Sequence, residues 1–311
     1  MDFEKLDKIV EKFIIKNKFH VDTLPVVSNY SKQVLDDEMQ VSSDNYSRKF
    51  ELRESINIVL DFIRTLDENM AMQFLNILNS KDEKGNPYIN ILSKKEHPDG
   101  LDEVKEGKVF IYYSNTVDDP FIIFHEMLHK MNECNIMDEE NNQIETFTRD
   151  YFGETVSILG EKMLGNYMLE NGLISKNDLD IREKERLSSS KENARDVIVE
   201  DALIKLKLSG KKINYDNLIN MFNSCDKNSK EFEVLNDEKN DLRRINSILS
   251  KNNLNLVKSQ RYVIAQVLSK ELLKKDSLEE DFIKLHYAVG DANSSINDVY
   301  AEIISTVQNT M

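Results

Sequence analysis

The sequence of 311 residues is poor in the residues that interrupt regular structure, with only 9 glycines and 4 prolines. Both residue types are unfavourable inside helices, so their scarcity favours a mostly helical fold. Cysteine is scarce as well: Cys134 and Cys225 lie far apart and form no C-x-x-C pair. Neither a disulfide framework nor an oxidising compartment is required, so a cytoplasmic location is the simplest expectation, with secretion by a signal-less route not excluded.

Positive charge is in the minority, because 41 Lys and Arg face 56 Asp and Glu, for a net charge of −15. Contact with phosphates needs clustered Lys and Arg, and here they are scattered among acids. Nucleic acid and anionic membrane surfaces are therefore not expected as partners. The longest apolar runs, 109–113 and 121–124, are far shorter than the roughly 20 residues of a membrane-spanning helix. Asp2 and Glu4 stand where a signal peptide would be basic, which indicates a folded N-terminal helix.

Apolar periodicity predicts a fold class that is mainly α with a small β-sheet. Short β-like runs are predicted at 88–92 and 109–113, whereas the polar stretch LSSSKENARD is expected to be a loop. Helices are predicted at 3–17, 45–66, 68–79, 121–134, 143–171, 194–208, 215–222, 242–274 and 277–307, with Gly290 as a potential break in the last. The chain is divided into an N-terminal helical segment, 1–80, and a second domain, 81–311.

One motif points to chemistry: the sequence F-H-E-M-L-H contains H-E-x-x-H. It follows a β-run and a turn, and it falls on a helix for which Asp119 is the expected N-cap. Residues i and i+4 share one face of a helix, so His125 and His129 can bind one Zn²⁺ while Glu126 approaches the water on that metal. The competing interpretation is two ordinary histidines on a structural helix.

A catalytic zinc site needs a third protein ligand and one open position. One class of enzymes supplies a third histidine through H-E-x-x-H-x-x-G-x-x-H, but Asn132 and Asn135 stand at those Gly and His positions. The sequence therefore excludes that class. A carboxylate from the following helix is the remaining route, and the candidates are Glu145, Glu154 and Glu161.

Glu154 is the preferred third ligand, because it lies on an apolar stripe with Tyr151 and Ile158, where its charge would otherwise be buried without compensation. A plain helix-surface carboxylate is the alternative. Glu161, two turns further on, is expected to hydrogen-bond a ligand histidine and fix its tautomer, unless it is simply solvated. Ser157 is predicted to support the ligands from the same helix.

Three segments, in order, resemble the oligoendopeptidase F branch of the thimet oligopeptidase family. Residues 107–132, GKVFIYYSNTVDDPFIIFHEMLHKMN, are similar to its strand, turn and zinc helix, although Asn115 stands where the turn usually has Gly. Residues 151–161, YFGETVSILGE, are similar to the family's F-x-A-E-V-A-S-x-x-N-E helix. Residues 286–290, HYAVG, are similar to its K-Y-A-T-G segment.

The resemblance implies a zincin-like (gluzincin) metallopeptidase domain around a deep cleft. It makes His125, His129 and Glu154 the ligands of one zinc ion and Glu126 the general base. The family's N-terminal lobe has little counterpart here, so residues 1–80 are interpreted as a reduced lobe.

The chain departs from the family just before the third segment. The family's tyrosine- and histidine-rich run corresponds here to 277–285, which lacks those groups. His286 and Tyr287 are left as candidate donors to the oxyanion of the reaction, each with ordinary packing as the alternative.

These observations predict a zinc-dependent metalloendopeptidase with oligopeptides as substrates. The second β-run is expected to pair with an extended peptide by strand addition, with a buried strand as the alternative; its residues are Val109, Phe110, Ile111, Tyr112 and Tyr113. Two other functions stay open: a compact protease or effector aimed at one protein substrate, and a pseudopeptidase that serves as a binding module. The oligomeric state is not predicted.

Overall fold

The computed structural model describes residues 1–41, 45–100, 102–105, 107–132 and 143–291, with the backbone alone at 19, 103–105 and 143–150. Mainly helical structure with a small sheet is confirmed. The elements are α1 (Phe3–Lys16), α2 (Lys18–Asp36), α3 (Leu52–Leu66), α4 (Glu68–Asn79), β1 (Ile89–Ser93), β2 (Glu103–Lys105), β3 (Lys108–Tyr113), α5 (Asp119–Met131), α6 (Gln143–Glu170), α7 (Lys176–Leu208), α8 (Tyr215–Asn223), α9 (Lys230–Asp241), α10 (Arg243–Lys251), α11 (Leu256–Leu272) and α12 (Leu278–Gly290).

The chain forms two compact units, and the first combines Met1–Glu38 with Glu185–Val267. The second combines Met39–Lys184 with the chain from Leu268 onward. The boundary predicted near residue 80 does not coincide with this division. The reason is that α3 and α4 pack against α5, which places them with the H-E-x-x-H helix.

In the first unit, one apolar core joins α1 and α2 to the C-terminal part of α7 and to helices α8 to α11. The loop predicted at LSSSKENARD is wrong, because those residues lie inside α7. Ser190 and Ala194 are one helical turn apart and both are buried. Small residues therefore form the inward face of the helix here. Without large apolar side chains on that face, the sequence shows no apolar periodicity that would predict a helix.

In the second unit, a three-stranded sheet has the order β1-β3-β2. The central strand β3 pairs parallel with β1, from Ile89↔Val109 to Ser93↔Tyr113, and antiparallel with β2. The predicted runs at 88–92 and 109–113 correspond to β1 and β3, whereas β2 was not predicted.

The turn from β3 to α5 is organised by Asp119, which is buried. Asp119 is the first residue of α5, so its prediction as the N-cap is wrong by one position; the N-cap is Asp118. The Asp119 carboxylate instead accepts hydrogen bonds from the backbone N–H groups of Ser114 and Thr116, at 3.0 and 3.1 Å. These bonds fix the direction in which α5 leaves the sheet.

Helix α5 packs against α6, and Gly160 lies where the two helices approach closely. A Cβ atom at Gly160 would lie only 2.8 Å from side-chain carbons of Leu128 and Phe124, which are both fully buried. Only glycine fits this contact without displacing its neighbours. Helix α12 covers another part of α6 and ends at Gly290, in agreement with the predicted break.

Parts of two predicted helices, 133–134 and 292–307, lie outside the described residues. Among the helices that the structure describes, none combines the length and apolar character of a membrane span.

Candidate metal centre

Three predicted ligands come together between α5 and α6. The Nε2 atoms of His125 and His129 lie 3.0 Å apart. One carboxylate oxygen of Glu154 lies 3.5 Å from the His125 Nε2, and the other lies 3.5 Å from the His129 Nε2. The candidate ligand atoms of all three residues lie within 4.8 Å of one another. This group could hold a metal ion.

Helix geometry explains the arrangement. His125 and His129 are one turn apart on α5, so both rings project from the same side. Glu154 lies on the face of α6 that packs on α5, and its side chain is only 1% exposed. The His125 and His129 side chains are 12% and 24% exposed, so both are more accessible to solvent than Glu154. The side chain of the alternative ligand, Glu145, lies outside the described residues.

Glu161 occupies the position predicted for it. Its Oε1 lies 2.5 Å from Nδ1 of His125. Because a carboxylate can only accept, Nδ1 carries the proton, and the neutral imidazole then presents the lone pair of Nε2 to the centre. Glu161 is also almost completely buried, so water does not compete freely for its carboxylate.

Two residues of this network were not predicted from the sequence. Nη2 of Arg182, on α7, lies 2.7 Å from the second oxygen of Glu161, and Nε lies 2.6 Å from Oδ1 of Asp118. Neither residue belongs to the motif or to its helical periodicity. The sequence offers one hint for Arg182: it directly follows the apolar residue Ile181, which is buried in the fold.

Glu126 is 8% exposed and follows the first ligand directly in the sequence. Burial raises the pKa of its carboxyl, and the nearby His125 and His129 oppose that rise. Asp102, directly before β2, is a further acidic group whose charge acts on both Glu126 and His125. A carboxyl with a raised pKa is a stronger base than an exposed one, which suits it to accept and return a proton.

Ser157, also on α6, donates a hydrogen bond of 3.4 Å to the backbone carbonyl of His125. It therefore contacts the backbone of the helix that carries His125 and His129, and not the imidazole of His125.

His286 and Tyr287 lie on α12, and neither hydrogen-bonds to the three candidate ligands in the described part of the chain. The Tyr287 hydroxyl donates to Oδ1 of Asp67 at 3.0 Å. Burial raises the pKa of Tyr287 to about 12, with a contribution from the bond to Asp67. Burial lowers the pKa of His286 to about 4, so this imidazole is neutral.

Strand β3 does not present the open edge that peptide addition to Val109–Tyr113 requires. Its first half is paired on both sides, because β2 lies antiparallel to Lys108–Phe110. Beyond that pairing, the backbone N–H of Tyr112 donates to Oδ1 of Asp102 at 2.6 Å. The expectation of strand addition along all five residues is corrected accordingly: the chain itself pairs with the first half of this edge and with the N–H of Tyr112.

No protein-family model, curated protein or solved structure matches the chain. The resemblance carried by 107–132, 151–161 and 286–290 therefore stays a prediction. The group of His125, His129 and Glu154 rests on the chain's own geometry.

Proposed function

We propose that the chain is a zinc-dependent metalloendopeptidase with a zincin-like catalytic domain that hydrolyses oligopeptides. The observation that carries the proposal is the convergence of the His125 and His129 Nε2 atoms on the Glu154 carboxylate, with the buried Glu126 beside them. Two histidines and one glutamate form the ligand set of a catalytic zinc site in several metallopeptidases.

The separations of the ligand atoms support this assignment. Zinc bonds to nitrogen and oxygen are about 2.0–2.1 Å long, so two ligand atoms of a tetrahedral site lie about 3.3–3.4 Å apart. The observed separations are 3.0 Å between the two Nε2 atoms and 3.5 Å from each Nε2 to Glu154. Three protein donors also leave one coordination position for water or substrate, as catalysis requires.

Zinc bound by these three side chains supplies Lewis acidity that polarises the scissile carbonyl and lowers the pKa of water. Glu126 accepts the proton of the attacking water and returns it to the amine that leaves when the C–N bond breaks. Its burial favours this role, because burial raises the pKa of the carboxyl and makes it a stronger base. Glu161 keeps the proton of His125 on Nδ1.

Hydrolysis of quenched fluorescent oligopeptides by the zinc-loaded protein tests the proposal. We expect turnover that is abolished by a chelator and restored by Zn²⁺. Glu126→Gln should retain zinc and lose at least about 100-fold in kcat, in line with the usual contribution of a general base. The matched control is Glu279→Gln, which makes the same change at an exposed position of α12 and should leave kcat unaltered.

Two results would contradict the proposal. Stoichiometric zinc without hydrolysis of any peptide would identify the chain as a metal-binding pseudopeptidase. Turnover by Glu126→Gln equal to that of the wild type would remove the general base from the mechanism.

A further inference from the structure

The guanidinium of Arg182 bridges two carboxylates that flank the metal centre on different elements. Its Nη2 lies 2.7 Å from Oε2 of Glu161 on α6, and its Nε lies 2.6 Å from Oδ1 of Asp118, the residue before α5. The Arg182 side chain is 12% exposed, and its guanidinium lies 5.2 Å from the ring centroid of Phe121. Its position is therefore fixed by charge, by packing and by partial burial.

The two oxygens of Glu161 have different partners. Oε2 faces Arg182, whereas Oε1 lies 2.5 Å from Nδ1 of His125. Asp118 is the N-cap of α5, the helix that carries His125. The contacts therefore form a closed loop that runs from Asp118 to Arg182, to Glu161, to His125 and back along α5. A change in the position of the guanidinium thus changes the direction in which Glu161 holds the imidazole.

We propose that Arg182 is a positioning residue that sets the affinity of the His125, His129 and Glu154 group for zinc, an inference that rests on the proposed function. The planar guanidinium holds the Glu161 carboxylate in one orientation, so that Oε1 points at Nδ1 of His125. It also places a positive charge beside a carboxylate that is only 3% exposed. Residues that orient a histidine ligand in this way typically change metal affinity about 10- to 100-fold.

The role requires arginine and not merely a positive charge. Glu161 accepts a hydrogen bond from Nη2, Asp118 forms an ion pair at Nε of the same planar group, and an ammonium group has no such pair of separate nitrogens. Lysine at position 182 can pair with Asp118 or with Glu161, but it cannot fix the plane of the Glu161 carboxylate while it contacts both.

A neighbouring ion pair separates the positioning role from a structural one. Nζ of Lys162, on α6, lies 2.8 Å from Oε2 of Glu183, on α7. This pair connects the same two helices at the positions that directly follow Glu161 and Arg182, but it does not involve a ligand histidine. Removal of the Lys162 pair therefore weakens the contact between α6 and α7 and leaves the orientation of His125 intact.

The test is the zinc affinity of the full chain, measured by competition with a chromophoric chelator, with the thermal stability of each metal-free variant measured in parallel. Arg182→Gln and Arg182→Lys should bind zinc about 10- to 100-fold more weakly than the wild type. Lys162→Gln should retain wild-type affinity, even if its stability falls as far as that of the Arg182 variants. Where Arg182→Gln does not fold, Arg182→Lys decides the question.

A double-mutant cycle gives a second readout. If Arg182 acts through Glu161, Arg182→Gln combined with Glu161→Gln should lower zinc affinity no further than Glu161→Gln alone. The proposal is overturned if the affinity of folded Arg182→Lys lies within twofold of wild type, or if Lys162→Gln loses as much affinity. Failure of the wild type to bind zinc would refute the proposed function itself, which is a distinguishable outcome.

Discussion

The hydroxyl of Tyr287 donates a hydrogen bond to Oδ1 of Asp67, with 3.0 Å between the oxygens. The same Oδ1 accepts from the backbone N–H of Met70 at 2.8 Å, as the N-cap of α4. Tyr287 thus connects α12 to the start of α4, and its proton is directed at a carboxylate. A tyrosine that stabilises an oxyanion must direct that proton at the reaction centre instead.

We therefore expect Tyr287→Phe to lower the free energy of unfolding by about 1 kcal/mol, the usual contribution of one hydrogen bond. Turnover of oligopeptides should fall less than about tenfold, because the hydroxyl is bound to Asp67. Chemical denaturation and steady-state kinetics check the two quantities. A kcat loss of about 100-fold or more, with stability unchanged, would instead assign Tyr287 to the oxyanion.

Gly160→Ala should destabilise the contact between α5 and α6. The added methyl group would lie 2.8 Å from carbons of Leu128 and Phe124, and overpacking of this kind typically costs about 1–3 kcal/mol. The control is Gly153→Ala on the same helix, where a Cβ meets its nearest neighbours at 3.8 and 3.9 Å. Gly153→Ala should be neutral or stabilising by up to about 1 kcal/mol, through the better helix propensity of alanine. Equal stability of the two variants in denaturant would contradict the described packing.

Glu200, on α7 in the first unit, gives a pH-dependent prediction. Burial raises the pKa of its carboxyl to about 8, and its Oε1 accepts from the backbone N–H of Asn255. Because the folded chain binds this proton more tightly than the unfolded chain, the contribution of Glu200 is fully present below the unfolded pKa, about 4.5. That contribution is lost as the pH rises through about 8.

Glu200→Gln should remove this dependence, because an amide keeps the acceptor oxygen and does not ionise. Urea denaturation at pH 5 and pH 9 should show the variant gaining stability relative to wild type at the higher pH. The exposed Glu170→Gln is the control and should show no such gain. If the difference in free energy of unfolding between Glu200→Gln and the wild type is the same at pH 5 and pH 9, the raised pKa of Glu200 is contradicted.

The identity of the third ligand can be tested with two substitutions on α6. Glu154→Ala should weaken zinc binding by more than the roughly 10- to 100-fold expected for the loss of an orienting residue, because it removes a donor atom. Glu145→Ala should leave zinc binding unchanged. Isothermal titration of the metal-free protein measures both affinities. The opposite pattern, with zinc binding lost only in Glu145→Ala, would show that Glu145 and not Glu154 is the third ligand.

Much of the candidate metal centre follows from local sequence. The spacing of H-E-x-x-H places two histidines on one helix face, and the isolated carboxylate on an apolar stripe identified Glu154. The structure brings these residues together and adds the predicted contact of Glu161 with His125. Periodicity also identified the helical character of most of the chain.

The features that sequence reasoning missed depend on contacts between distant segments. Arg182 lies 21 residues after Glu161, and only the fold brings it to that carboxylate. The pairing of β3 on both sides depends on β2, which has three residues and too little pattern to be recognised. LSSSKENARD lacks an apolar stripe because its inward positions carry small residues, Ser190 and Ala194.

The zinc content of the purified chain tests the central claim most directly. Elemental analysis should find one zinc ion per chain in the wild type and none in His129→Ala, whereas the exposed His97→Ala should retain the metal. A wild-type chain without stoichiometric zinc, or a His129→Ala variant that binds zinc as the wild type does, would contradict the claim that His125, His129 and Glu154 form a zinc centre.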